Sequence, residues 1–329
     1  MPTHPAPIPR TPPTRIDALD LVRGLATVAM ASYHFTWDLE FFGYVEPGLT
    51  AVGGWKIYAR CIAGSFLFLA GVSLFLAHGT GIRWPGFWRR FAMVAGAAAA
   101  ISVATYFAVP EAFIFFGILH QIALASLLGL VFLRLPPLLN LVIAAGIVAA
   151  PFYLRSEVFD HPALWWVGLS QTSPRSNDYV PLFPWFGAVL AGIAAAQLAR
   201  SAGILARLAP VRFGAWSRLP ISGGRHSLAV YLLHQPLLIA GIWLFSQVFP
   251  APEIPRETRF QTSCETGCRQ TRDTAFCTRY CACMLDTLEA DGRIEGVYAN
   301  DPSDELRQHV GDTALFCTAR TEDELMGEP

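Results

Sequence analysis

The chain has 329 residues, of which 53% are hydrophobic and only 15% charged, with a mean hydropathy of +0.40. Soluble domains carry about 25% charged residues, so this composition excludes an ordinary water-soluble globule and points to a chain solvated by lipid. The net charge of −1 hides an asymmetry: residues 1–250 hold 16 Arg/Lys against 9 Asp/Glu, and residues 251–329 hold 8 Arg against 16 Asp/Glu. Six of the seven cysteines also lie in the second part. The sequence therefore predicts a short N-terminal tail (1–15), a membrane domain (16–250) and a cysteine-rich tail (251–329).

A bilayer core ~30 Å thick needs about 20 mainly apolar residues per helix. Spans are predicted at 17–38, 55–78, 88–109, 112–133, 137–154, 183–200 and 225–249, which makes the fold class all-α: a polytopic bundle of about seven transmembrane helices. The segment 137–154 is short and ringed by prolines. The first segment imitates a signal peptide, with Arg10 and Arg15 before it and Ala29-Met30-Ala31 within it. Asp20 and Arg23 fall inside what would be its apolar stretch, so it reads as a mature helix. Cys61, in the second span, is expected to pack as a buried apolar side chain. Trp165 and Trp166 read as part of an interfacial aromatic belt.

The first span carries a polar stripe. Asp20, Arg23, Thr27, His34 and Asp38 are spaced by 3, 4, 7 and 4, which places them on one side of a helix. Arg23 and His34 are eleven residues apart, about three turns and ~16 Å along the axis. Charged groups at membrane depth cost several kcal/mol by most estimates, so they normally face the bundle interior and mark a site or pathway. Asp20 is placed to pair with Arg23, and Asp38, one turn beyond His34, is placed to fix its tautomer and stabilise an imidazolium. The alternative is that Arg23 snorkels, His34 bonds a neighbouring helix and Asp38 lies in headgroup water.

His120 in the fourth span and His234 in the seventh, with Tyr231 one turn before it, are candidate proton shuttles or buried hydrogen-bond partners. Arg225 opens the seventh span and, with Arg207, Arg212 and Arg218, forms a cationic mouth suited to phosphates, or reflects plain charge topology. Asp178 precedes the sixth span at its outer mouth, as an acceptor-site or a loop residue. There is no Walker-type loop, dinucleotide glycine fingerprint, Gly-x-Ser-x-Gly elbow or His-Glu-x-x-His.

With the N-terminus cytoplasmic, the inside segments hold 11 cations against four outside, as the positive-inside rule requires. Seven spans then leave the tail outside the cytoplasm. Its cysteines agree, because six thiols in a short segment suit an oxidising compartment. Cys264-x3-Cys268 and Cys277-x3-Cys281 each place two cysteines on one helix face. Two such turns can be stapled as 264–281 and 268–277, leaving Cys283 with Cys317, one of 15 possible connectivities. A zinc site is the rival; no resident metal is expected.

The first-helix sequence LDLVRGLATVAMASYH resembles that of the transmembrane acyltransferase superfamily, whose acyltransferase-3 members carry Arg-x10-His there. Arg23 and His34 match that spacing. With FLFLAGVSLFL (66–76), FFGILHQIALASLL (115–128), PLFPWFGAVLAGI (181–193) and GRHSLAVYLLHQP (224–236), the chain is similar to bacterial relatives of heparan-alpha-glucosaminide N-acetyltransferase. The animal enzyme's large lumenal domain has no counterpart. Its histidine after the first helix has no match in GYVEPGL (43–49), and the cysteine tail is outside the family pattern.

The resemblance implies an integral membrane acyltransferase of a bacterial inner membrane, using acetyl-CoA or another acyl-CoA as donor substrate and a glycan or other envelope acceptor. His34, held by Asp38, would be general base or acyl carrier, and Arg23 would orient the donor. Arg225, His120, His234, Asp178 and Asp20 are candidate substrate or donor contacts. Membrane lipids are the expected surroundings; neither a bound cofactor nor a nucleic-acid partner is expected. The alternatives are a proton-coupled secondary transporter built on the same buried groups, for which no inverted repeat is found, and a membrane anchor for the cysteine-rich tail.

Overall fold

The computed structural model describes residues 15–252, 255–298 and 303–326. Arg10 and nearly all of the predicted N-terminal tail lie outside them. The described residues form thirteen α-helices joined by loops and short 3-10 turns, with no strand among them. In chain order these are α1 (Asp17–Phe41), α2 (Gly53–His78), α3 (Trp84–Ala108), α4 (Ile118–Phe132), α5 (Pro137–Tyr153), α6 (Leu182–Ser201), α7 (Ile204–Leu208), α8 (Arg218–Arg225), α9 (Ser227–Val248), α10 (Arg256–Cys268), α11 (Thr274–Ala290), α12 (Ile294–Val297) and α13 (Asp304–Met326).

Helices occupy all seven predicted span positions. Four of them, α2, α3, α6 and α9, are long and apolar enough to cross a membrane by themselves, whereas α4 and α5 are apolar but only 15 and 17 residues long. This is a multi-pass membrane protein of all-α class. The chain divides into two compact units: residues 1–32 with 58–236, and residues 33–57 with 237–329.

The first unit is centred on α2, α4 and α6, where Leu67, Phe75, Val189, Leu190 and Ile193 are buried. Lipid tails are as apolar as leucine, so helices in a membrane associate through close packing and polar contacts. Two crossings show how. A Cβ on Gly71 would lie 2.0 Å from the Val189 carbonyl oxygen and one on Gly192 2.1 Å from that of Phe68, so α2 and α6 meet backbone to backbone. Likewise α8 lies on α1: a Cβ on Gly24 would fall 1.8 Å from Pro220 O, and one on Gly224 1.8 Å from Asp20 O. Only glycine permits either approach. At the α4–α5 turn, Asn140 Nδ2 donates to Phe132 O (3.1 Å) and Gln197 Nε2 to the carbonyls of Leu133 and Leu135 (3.1 and 2.9 Å). These bonds satisfy groups that a helix end leaves open. Cys61 is exposed rather than buried as the sequence suggests. It lies on the face of α2 turned away from that core, where a small thiol is tolerated without packing.

In the second unit α10, α11 and α13 are tied by Cys264–Cys281, Cys268–Cys277 and Cys283–Cys317, the pairing that the spacing allows. Cys317, Met284 and Leu288 form a small core between α11 and α13. At the end of α1, Glu40 folds the following loop around its carboxylate, accepting from Gly48 N (2.5 Å), Thr50 N (3.0 Å) and the Thr50 hydroxyl (2.7 Å). That loop abuts α10, since a Cβ on Gly48 would fall 2.8 Å from Thr266 Cγ2.

Candidate active site

The polar stripe of α1 follows the periodicity the sequence predicts. Asp20, Leu21, Gly24 and Thr27 are buried, while Val22, Leu25 and Val28 are exposed. Asp20 is a counter-ion hub: Oδ1 accepts from Arg23 Nη1 at 3.0 Å, and Oδ2 from Arg15 Nε at 2.7 Å and Arg225 Nε at 3.4 Å. Arg225 also reaches Asp17 at 2.9 Å, with Arg212 at 3.7 Å from the same carboxylate. The cationic mouth is therefore partly neutralised from α1, and Arg225 is an ion-pair partner in this structure.

Arg23 has a second contact. Its Nη2 donates at 2.8 Å to Ser73 Oγ, whose own proton goes to Leu69 O at 2.6 Å. The guanidinium thereby lies at the wall of a cavity of about 290 Å³ whose polar lining is Arg23, Ser73, Arg90, Ser227 and Tyr231; its remaining walls are apolar. Arg90 is the residue that sequence reasoning missed as a site group. Arg89 and Arg90 are adjacent at the start of α3, and spacing alone read both as topology charges; a helix turns 100° per residue, so only one of such a pair faces a given cavity. Among the described residues Arg90 makes no hydrogen bond or ion pair. One cation paired with Asp20 and a second without a counter-charge give the cavity a net positive field in an apolar setting, which attracts an anion. The volume is at the lower end for small-molecule sites, ~300–1,000 Å³. A wider groove of about 610 Å³ along α5 and α6 is almost wholly apolar and offers no comparable chemistry.

The histidines separate. The sequence predicts a span over 112–133 with His120 near its middle. The helix instead begins at Ile118 and His120 lies in its first turn, because Pro110 and the following loop interrupt the run and Gly117 acts as N-cap. His120 Nδ1 accepts from Gly117 N at 3.2 Å. Ser102 Oγ donates to Ile114 O at 2.6 Å, so it accepts from His120 Nε2 at 3.1 Å. Both ring nitrogens are thus engaged in holding the 109–117 loop. His234 Nδ1 lies 2.7 Å from Tyr231 O; a carbonyl only accepts, so that nitrogen carries the proton.

Asp178, in the loop before α6, reaches the start of α4. Its Oδ2 accepts from Ile118 N at 2.8 Å and from the Tyr231 hydroxyl at 3.4 Å.

In the second unit, His34 is half-buried and meets Tyr33 edge-on at 5.7 Å between ring centroids; Asp38, one turn later, is fully buried. Arg23, Asp20, Asp178 and Tyr231 are gathered in the first unit, and His34 and Asp38 belong to the second. The six tail cysteines are all in disulfides.

The sequence family described as "Heparan-alpha-glucosaminide N-acetyltransferase, catalytic" matches residues 15–236, about two-thirds of the chain. No curated protein and no solved structure matches.

Proposed function

From the premise that this chain belongs to the heparan-alpha-glucosaminide N-acetyltransferase catalytic family and is a membrane enzyme of the acetyltransferase type, we propose that it moves an acetyl group from acetyl-CoA to a saccharide or other acceptor of the bacterial cell envelope. The protein resides in the inner membrane with its N-terminus cytoplasmic and its disulfide-bonded tail outside. The bias of arginines and the oxidised cysteines support this orientation.

The observation that carries the reading is the cavity between Arg23 and Arg90. A cation at membrane depth without a counter-charge is costly, and a bound anion offsets that cost. Acetyl-CoA is a polyanion with a flexible, largely uncharged thioester arm, which suits a cationic entrance and apolar walls. Arg225 is occupied by Asp17 and Asp20, so Arg90 and Arg23 take the donor contact. The cavity accommodates part of the donor rather than the whole.

His34 is the general base that takes the proton of the acceptor nucleophile, or the imidazole that carries the acetyl group between donor and acceptor. Asp38, one turn further along α1, stabilises the imidazolium.

The test is transfer of label from radioactive acetyl-CoA in membranes bearing the protein. His34→Ala is expected to abolish transfer while the protein still inserts, and Arg90→Ala to raise KM for acetyl-CoA about tenfold, the equivalent of ~1.4 kcal/mol. Full turnover by His34→Ala would overturn its role. Wild-type membranes that neither bind CoA nor release acetyl label to any envelope acceptor would overturn the reading.

A further inference from the structure

The start of α4 lies inside the first unit, not at its face. Leu119 packs on Ala97 and Ala98, which are thirteen and fourteen residues into α3, or ~20 Å along a helix of ~37 Å. A helix opening at that depth exposes backbone N–H groups that neither lipid nor its own turn satisfies. Asp178 meets one of them, Ile118 N, at 2.8 Å. The approach depends on Gly117: a Cβ there would lie 2.3 Å from Asp178 Oδ2.

Capping alone does not use all of Asp178. The same oxygen accepts the proton of Tyr231, which forms part of the wall of the cavity with Arg23 and Arg90. The cavity is rich in donors. The guanidiniums only donate, and the Ser73 hydroxyl is engaged by Arg23 and Leu69. Because the Tyr231 hydroxyl donates its hydrogen bond to Asp178, its oxygen presents lone pairs as an acceptor. Ser227 is the one other hydroxyl on the wall. A ligand for such a cavity combines an anion, an apolar chain and an amide N–H.

We propose that Tyr231 binds the acyl donor by accepting a hydrogen bond from an amide N–H of its pantetheine arm, and that Asp178 is a positioning residue that holds the Tyr231 hydroxyl in this acceptor state while capping α4. The proposal rests on the acetyl-CoA reading above and makes the site selective for pantetheine thioesters over simple ones.

The experiment uses the full-length protein in membranes, with acetyl-CoA and an acetyl thioester that has no amide. Tyr231→Phe removes only the hydroxyl; it is expected to raise KM for acetyl-CoA about tenfold, with the effect on KM rather than kcat, and to leave KM for the amide-free thioester unchanged. Asp178→Ala gives the same KM rise together with a lower melting temperature. Asp178→Asn, whose amide oxygen accepts both hydrogen bonds, restores KM. Should Asp178→Ala fail to fold, Tyr231→Phe decides alone. An unchanged KM for acetyl-CoA in Tyr231→Phe, or an equal rise for both thioesters, overturns the proposal in an active enzyme. Wild-type protein that neither binds CoA nor transfers acetyl would instead overturn the acetyl-CoA reading on which it rests.

Discussion

The two compact units solve the same problem with different forces. The first holds helices together by backbone contact at glycine crossings and by buried charge pairs around Asp20. The second, little more than half the size, has a thin core around Cys317, Met284 and Leu288, with three disulfides across it. Its ion pairs are mostly exposed, such as Arg256–Glu295 at 63% and 75% side-chain accessibility, against 21% and 5% for Arg23–Asp20. The contrast follows from the solvent of each element. Among apolar helices burial gains little over lipid, so shape and buried polarity decide the packing. A small polar-surfaced bundle buries too little to hold itself and is cross-linked instead.

That contrast can be broken or sharpened by substitution. The largest effect is expected for Asp20→Ala, which strips a buried partner from Arg23 and should cost about 3–5 kcal/mol, read as lost thermal stability in detergent. Glu295→Ala, breaking an exposed pair of the second unit, should cost under ~1 kcal/mol. Equal losses would erase the distinction. Next come the disulfides. The bond between Cys283 and Cys317 closes 34 residues and that between Cys268 and Cys277 closes nine. Removing each pair as a double serine variant should cost ~4 and ~2.5 kcal/mol by chain entropy. Hydrogen exchange of α13 and α11 amides in the whole protein measures both, and the reverse order would refute the entropic account. Gly224→Ala follows, expected at ~1–3 kcal/mol because its Cβ meets Asp20 O. Gly223→Ala, with open space around its Cβ, is the control and should melt close to the wild type.

Much of this fold is legible in the chain because it is local. Runs of apolar residues set the seven helical positions, and the 3-4-7-4 spacing put Asp20, Arg23 and Thr27 on the buried face of α1. The x3 spacings likewise restrict which tail cysteines can meet. The candidate site was legible only in part. Asp20 with Arg23 followed from an i,i+3 interval within one helix. Arg90 did not, because its role depends on which of two adjacent arginines the packing of α3 turns inward. His120 was misplaced because hydropathy runs on through residues 112–133, whereas Gly117 and the Asp178 cap start α4 late.

The sequence by itself determined an all-helical membrane protein, an oxidised tail and a charged stripe on the first helix, since composition and periodicity act over a few turns. Only the tertiary structure decided that Arg90 joins Arg23 at one cavity, that Arg225 is taken up by Asp17 and Asp20, and that Asp178 reaches Tyr231. Those juxtapositions join residues 53 to 208 positions apart, and no local interval encodes the packing that brings them together.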